Sequence, residues 1–160
     1  LGLPQMKLGW IACSGPAALL DPALERLELI ADTYLSVNTP VQRALPGWLK
    51  LAPAIQAEIR GRLRANREWL AKELSPPAGQ GGVRLLPSDG GWSAVIETPG
   101  VVEDEAWAIT LLEEERVRVH PGYLFDFDAP GHAVLSLLPP LESFREGIGG
   151  IMKLSGGTVF

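Results

Sequence analysis

The run Ser75-Pro76-Pro77-Ala78-Gly79-Gln80-Gly81-Gly82 constrains the chain more than any other stretch, because no helix or strand passes through it. Proline fixes φ and brings no N–H, while glycine opens backbone conformations closed to other residues, so the segment is a loop. It is the clearest internal boundary. Its length suits a turn between layers better than a linker between independent domains. The residues before it carry helical periodicity, and strand patterns occur only after it.

Upstream, Ser14-Gly15-Pro16 reads as a turn, and Asp21-Pro22 as a helix start, with an N-cap carboxylate followed by proline at the first helical position. Leu24, Leu27, Ala31, Tyr34 and Leu35 then recur at three- and four-residue spacing and predict a buried stripe through about Val37. Asn38-Thr39-Pro40 ends that helix, since a residue before proline is pushed out of helical dihedrals. A short helix is expected from Val41 to about Leu49, and a longer one from Pro53 to about Leu74 with Ile55, Ile59, Leu63 and Leu70 inward. The opposite face of the longer helix holds Arg60, Arg62, Arg64 and Arg67 interleaved with Glu58, Glu68 and Glu73, the pattern of a solvated surface.

Downstream, Val83–Leu86 and Trp92–Glu97 read as strands joined through Pro87-Ser88-Asp89-Gly90-Gly91 into a hairpin. Val102–Glu115 reads as a helix with Glu103, Asp104 and Glu105 at its positive end and with Ala106, Ile109 and Leu112 as its buried stripe. Val117-Arg118-Val119 is expected as a short strand, His120-Pro121-Gly122 as a turn, and Ala133–Leu138 as a second buried strand. Pro139-Pro140 leads into a last amphipathic helix through Phe144, Ile148 and Ile151. Strands separated by helices predict an α/β two-layer sandwich, a small mixed sheet with helices, preceded by connecting helices.

A net charge of −5 with a pI near 5.0 argues against a nucleic-acid surface, which needs clustered positive charge. No apolar run reaches the ~20 residues of a membrane span, and the first residues lack the basic and apolar regions of a signal peptide. The lone Cys13 allows no internal disulfide, which points to a reducing, cytoplasmic setting. Of five tryptophans, four fall inside predicted elements where core packing accounts for them.

The opening segment Leu1-Gly2-Leu3-Pro4-Gln5-Met6-Lys7-Leu8-Gly9-Trp10 is apolar and punctuated by glycine, with one cation that can serve as a point charge for a phosphate or as an ordinary surface lysine. It resembles the segment that follows the cofactor lysine in fold-type I pyridoxal phosphate (PLP) enzymes of the class I/II aminotransferase family. Two further stretches carry the same resemblance in the same order. Gly90-Gly91-Trp92-Ser93-Ala94-Val95-Ile96 is similar to the family's Gly-Gly-aromatic strand, and Leu111 through Phe125 to its helix, strand and Pro-Gly-x-x-Phe turn.

The resemblance implies the C-terminal portion of an aminotransferase, with residues 1–50 a remnant of the large PLP-binding domain and linking helix and 51–160 the small domain. By that register the Schiff-base lysine falls about two positions before Leu1, so the chain alone is expected to be inactive and to contain no catalytic residue; the absent initiating Met fits a fragment. Lys7 takes the place of the family's phosphate-binding arginine. It keeps the charge and loses the planar fork that grips two oxygens. His120, Pro121, Gly122 and Phe125 form a wall of the substrate entrance. Val134 stands where the family has the arginine that pairs with the substrate α-carboxylate. Either the substrate lacks a carboxylate there, or a cation from elsewhere in the full protein serves, or transaminase activity is lost. The whole protein is expected to be a homodimer that binds an amine or amino acid and a 2-oxo acid. A different class of protein with the same resemblance is the aminotransferase-like sensor domain of a transcription regulator.

Other constellations carry less. His120 either acts near substrate as an imidazole or is a partly buried histidine with an ordinary hydrogen bond. Asp126-Phe127-Asp128 offers two alternate carboxylates without the further oxygen ligands a hard cation needs, and reads as loop. Ser136 and His132 lack a nucleophile-elbow context, no Gly-rich phosphate loop is present, and no metal site is expected.

Overall fold

The computed structural model describes residues 1–75 and 82–157, so most of the boundary loop, 76–81, lies outside the described residues. Two compact units divide the chain, Leu1–Ala57 and Glu58–Phe160.

The first unit holds a short 3-10 helix, Pro4–Met6, the helix α1, Ala17–Thr33, and the start of α2, Thr39–Glu73. Helix α1 begins earlier than Asp21-Pro22 predicts. The Pro16 carbonyl accepts from the Leu19 and Leu20 N–H groups and starts the helix, which then carries Pro22 in its interior. The expected stripe of Leu24, Tyr34 and Leu35 is exposed, and no residue of the first unit is buried. The two helices expected between Val41 and Leu74 are one element, α2, capped by Asn38, whose Oδ1 accepts the Val41 N–H at 3.0 Å. Pro46 and Pro53 sit inside it, each removing one donor from the ladder without ending it.

The second unit is an α/β sandwich. Strands β1 (Arg84–Leu85), β2 (Ser93–Glu97), β3 (His120–Pro121) and β4 (His132–Ser136) form a sheet of order β1-β2-β4-β3. The β1–β2 hairpin forms as its turn residues predict. Every pairing is antiparallel, so the sheet is not the mixed one expected. Helices α3 (Asp104–Glu115) and α4 (Leu141–Gly157) pack with the end of α2 on one face, where Ala94, Ile96, Ala133 and Leu135 join Leu70, Leu111, Phe144 and Ile151 in one core. Burial of this kind contributes about 25 cal/mol per Å² of apolar surface removed from water. Trp69 meets Phe144 edge-on at 6.1 Å, under the Arg145 guanidinium. Trp10 and Trp92, in contrast, are exposed.

The buried side of α3 is Asp104 and Leu111 with Trp107 partly covered, whereas Ile109 and Leu112 face outward. This helix is apolar on two sides, so spacing alone does not choose the face. Val117-Arg118-Val119 is not a strand, and the expected turn at His120-Pro121 is the strand β3. Arg116 leaves α3 in the left-handed conformation, with the Val117 N–H returning to the Leu111 carbonyl, and strand pairing starts only at His120. On the surface, Arg62 pairs with Glu58, Lys153 with Glu115 and Arg84 with Glu97.

Candidate functional site

The sheet face turned away from the helices is set by register. Side chains alternate along β2 and β4, and Val95 lies opposite Val134, which lies opposite His120. Glu97 pairs with His132 in the row on one side of it and Ser93 with Ser136 in the row on the other. Val134 is 4% exposed yet takes no part in the helix-side core. Both histidines of the chain flank it on this face, His120 across the strand pair and His132 two residues earlier on β4.

Each imidazole is held by a phenyl ring. His120 is exposed and meets Phe125 edge-on at 6.0 Å, and His132 stacks on Phe127 at 4.5 Å. The His132 Nδ1 lies 3.0 Å from the Ala129 carbonyl. A carbonyl only accepts, so the form of the ring that makes this bond carries a proton on Nδ1.

Between the rings runs a 3-10 turn, Gly122–Phe125, entered through extended Pro121 and left through Asp126 in the left-handed region. Gly122 is demanded by close approach. A Cβ there would lie 2.6 Å from the His132 Cβ and 2.8 Å from Asp104 Oδ2. The Gly122 N–H donates to Asp104 Oδ2 at 3.1 Å, and the Gly131 and His132 N–H groups donate to Asp104 Oδ1 at 2.6 and 3.2 Å. Asp104 is 7% exposed and is the first residue of α3, where the helix dipole also favours its charge.

The structure thus brings His120, Pro121, Gly122, Phe125 and Val134 to one edge of the sheet. Lys7 belongs to the other unit. It is exposed and stands in the left-handed region (φ 53°) at the end of the 3-10 helix, its N–H bonded to the Pro4 carbonyl. Of the residues at the sheet edge, the reading of motifs passes over Asp104, taken only as a charge at a helix end, and the Phe127–His132 stack. The signal for Asp104 was available in part: an acid at a helix start, followed at a distance by two glycines in turn contexts. Among the described residues no group of three His, Cys, Asp or Glu side chains is arranged to hold a metal, and no helix is long and apolar enough to cross a membrane.

No protein-family model matches the chain. Among curated proteins, the alanine aminotransferase of Mycobacterium bovis is 28% identical over 141 residues, covering 83% of this chain and 32% of that protein. The glutamate-pyruvate aminotransferase of Haemophilus influenzae is 24% identical over 150 residues, covering 89% of this chain and 36% of its own length. Among solved structures, a PLP-dependent aminotransferase from Streptococcus suis superposes with TM-score 0.72 at 19% identity over 95% of this chain and 38% of that one. An Escherichia coli aminotransferase does so with TM-score 0.71 at 19% identity, over 90% and 36% of the two chains. The chain spans about a third of the length of the curated relatives it matches. By sequence and by fold, then, it is similar to one portion of the fold-type I aminotransferases.

Proposed function

We propose that the chain is the C-terminal portion of a PLP-dependent aminotransferase that moves an amino group between an amino acid or amine and a 2-oxo acid. The observation that carries this reading is the continuity of the match to the alanine and glutamate-pyruvate enzymes, which extends over 83% and 89% of the chain. On this reading residues 1–50 are the remnant of the large domain with its linking helix, and 51–160 are the small domain.

Lys7 fits a phosphate. Its ammonium is exposed, it makes no ion pair among the described residues, and its backbone is fixed by the bond to Pro4. It would neutralise phosphate charge as a single point donor, without the two-oxygen grip of a guanidinium. PLP, when bound, supplies the electron sink for amine chemistry. The residues around Val134 form the substrate-facing wall. Pro121 and Gly122 fix the wall's backbone, and the Phe125 ring and the His120 imidazole form its rim. Val134 supplies no cation, so a substrate carboxylate is held by a cation outside this chain or is absent from the substrate.

The working protein is proposed to be a homodimer in a reducing, cytoplasmic setting, consistent with the exposed Cys13 thiol. The chain by itself is proposed to be inactive. The test uses the longer protein, titrated with PLP and then offered alanine, glutamate and simple amines. We expect a visible protein-bound cofactor band that fades with one donor class and regenerates with a 2-oxo acid. Absence of any such band sinks the assignment.

A further inference from the structure

Asp104 has a division of labour that helix capping does not require. Oδ2 accepts from the entrance turn, through Gly122 N–H at 3.1 Å. Oδ1 accepts from the start of β4 and the residue before it, through His132 N–H at 3.2 Å and Gly131 N–H at 2.6 Å. One buried carboxylate therefore ties two segments distant in sequence to the start of α3. Bonds from backbone N–H groups to a carboxylate are charge-assisted and stronger than neutral ones.

The glycines at both arms tighten the arrangement. A side chain at Gly122 would strike Asp104 itself, and one at Gly131 (φ +96°) would lie 3.0 Å from both the Gly100 Cα and the Thr98 carbonyl oxygen. The backbone approaches the carboxylate from both sides at contact distance, and the distance between the turn and β4 is set across it. His120, paired with Val134 two residues before Gly122, and Phe125, at the end of the turn, are carried on the segment held in this way.

We propose that Asp104 is the positioning residue of the substrate-entrance wall, holding the Gly122–Phe125 turn in fixed register against β4. The inference rests on the aminotransferase reading, since only there is this wall a substrate surface. Asp104 touches no substrate; it acts through the turn.

Asp104→Asn separates the arms. The amide oxygen stays with the two donors of Gly131 and His132, and the amide nitrogen then confronts the Gly122 N–H, donor against donor. In the full-length protein with PLP bound, we expect KM for the amino donor to rise about 10-fold with kcat changed less than about 2-fold, from loss of the Gly122 bond, while the Gly131 and His132 bonds persist as neutral ones. Cofactor affinity stays unchanged. Hydrogen exchange at Gly122 accelerates about 10-fold or more while that at Gly131 remains slow.

An unchanged KM in a variant that folds but melts earlier would overturn the proposal, leaving a loop clamp without functional reach. A wild-type Gly122 amide that exchanges as fast as an unprotected peptide overturns it as well. Should Asp104→Asn fail to fold, Gly122→Ala presses the turn away from the carboxylate and is expected to give the same rise in KM; an unchanged KM there is equally fatal. If the wild-type protein shows no donor response, the aminotransferase reading is what fails, and the contrast in exchange between Gly122 and Gly131 still decides whether Asp104 fixes the turn.

Discussion

At the scale of single residues, four non-glycine positions among those described adopt positive φ: Lys7, Leu35, Arg116 and Asp126. Each such conformation costs about 1–2 kcal/mol, so each calls for a local reason. Arg116 and Asp126 end α3 and the entrance turn and so bound the segment that carries His120 and Phe125. Lys7 ends a 3-10 helix at the position where a phosphate contact is proposed. In the longer protein, Lys7→Ala is expected to weaken PLP binding about 10-fold or more through loss of a charge-assisted contact, and Lys7→Arg to match or improve on the native affinity because a fork reaches two oxygens. Equilibrium titration of the cofactor reads both. Equal affinity in all three proteins would remove Lys7 from the site. Lys7 and the entrance residues could be proposed from sequence because each falls in a short stretch similar to a motif of the aminotransferase family. Asp104 was not, because its meaning comes from donors 18 and 27 residues away, brought to it only by the fold.

At the scale of elements, periodicity found every helix and strand that the core depends on and misplaced those whose edges are set by tertiary contacts. Helix α3 shows the limit. Trp107 and Leu111 make one apolar side and Ile109 and Leu112 another, and burial of Asp104 against loop N–H groups chooses the first. Helix α2 shows the reverse, since Pro46 and Pro53 argue locally for breaks that the helix passes through. One polar residue on α2 was invisible to a search for apolar stripes. Asn66 is 0% exposed, and its Nδ2 donates to the Leu137 carbonyl at 2.9 Å and the Pro139 carbonyl at 2.8 Å. It fastens α2 to the end of β4, where the chain turns toward α4. Arg67 makes a second fastening, donating to the Ser88 Oγ and carbonyl at the β1–β2 loop. Asn66→Ala leaves those two carbonyls without their donor and is expected to cost about 2–4 kcal/mol of stability, against about 1 kcal/mol or less for Arg62→Ala on the exposed face. Denaturant melts of the two variants give the comparison, and equal losses would show that Asn66 is not the anchor.

At the scale of the whole molecule, the distribution of burial divides the chain more sharply than its helix content does. The first buried residue along the sequence is Asn66, although α1 and half of α2 precede it. Large apolar side chains in the first unit stand in the open, with Ile11 75% and Leu35 88% exposed. Helices gain most of their stability from packing an apolar face, and a short helix without such packing is marginal in water. The second unit has the opposite character, a single core joining the sheet to three helices and tied by Asn66 and Asp104. Local opening free energies should therefore approach zero along 1–57 and reach the global value around Ile96, Leu111 and Ile151. Brief digestion of the 160-residue chain with a nonspecific protease, followed by mass analysis, reads this directly. We expect early cuts through α1 and residues 34–38, and slow cuts through β2, β4 and α4. Protection of α1 comparable to that of α4 would mean that the first unit's apolar face is covered in solution. The uncut chain should then sediment as an oligomer, which places the cover in a second copy of itself.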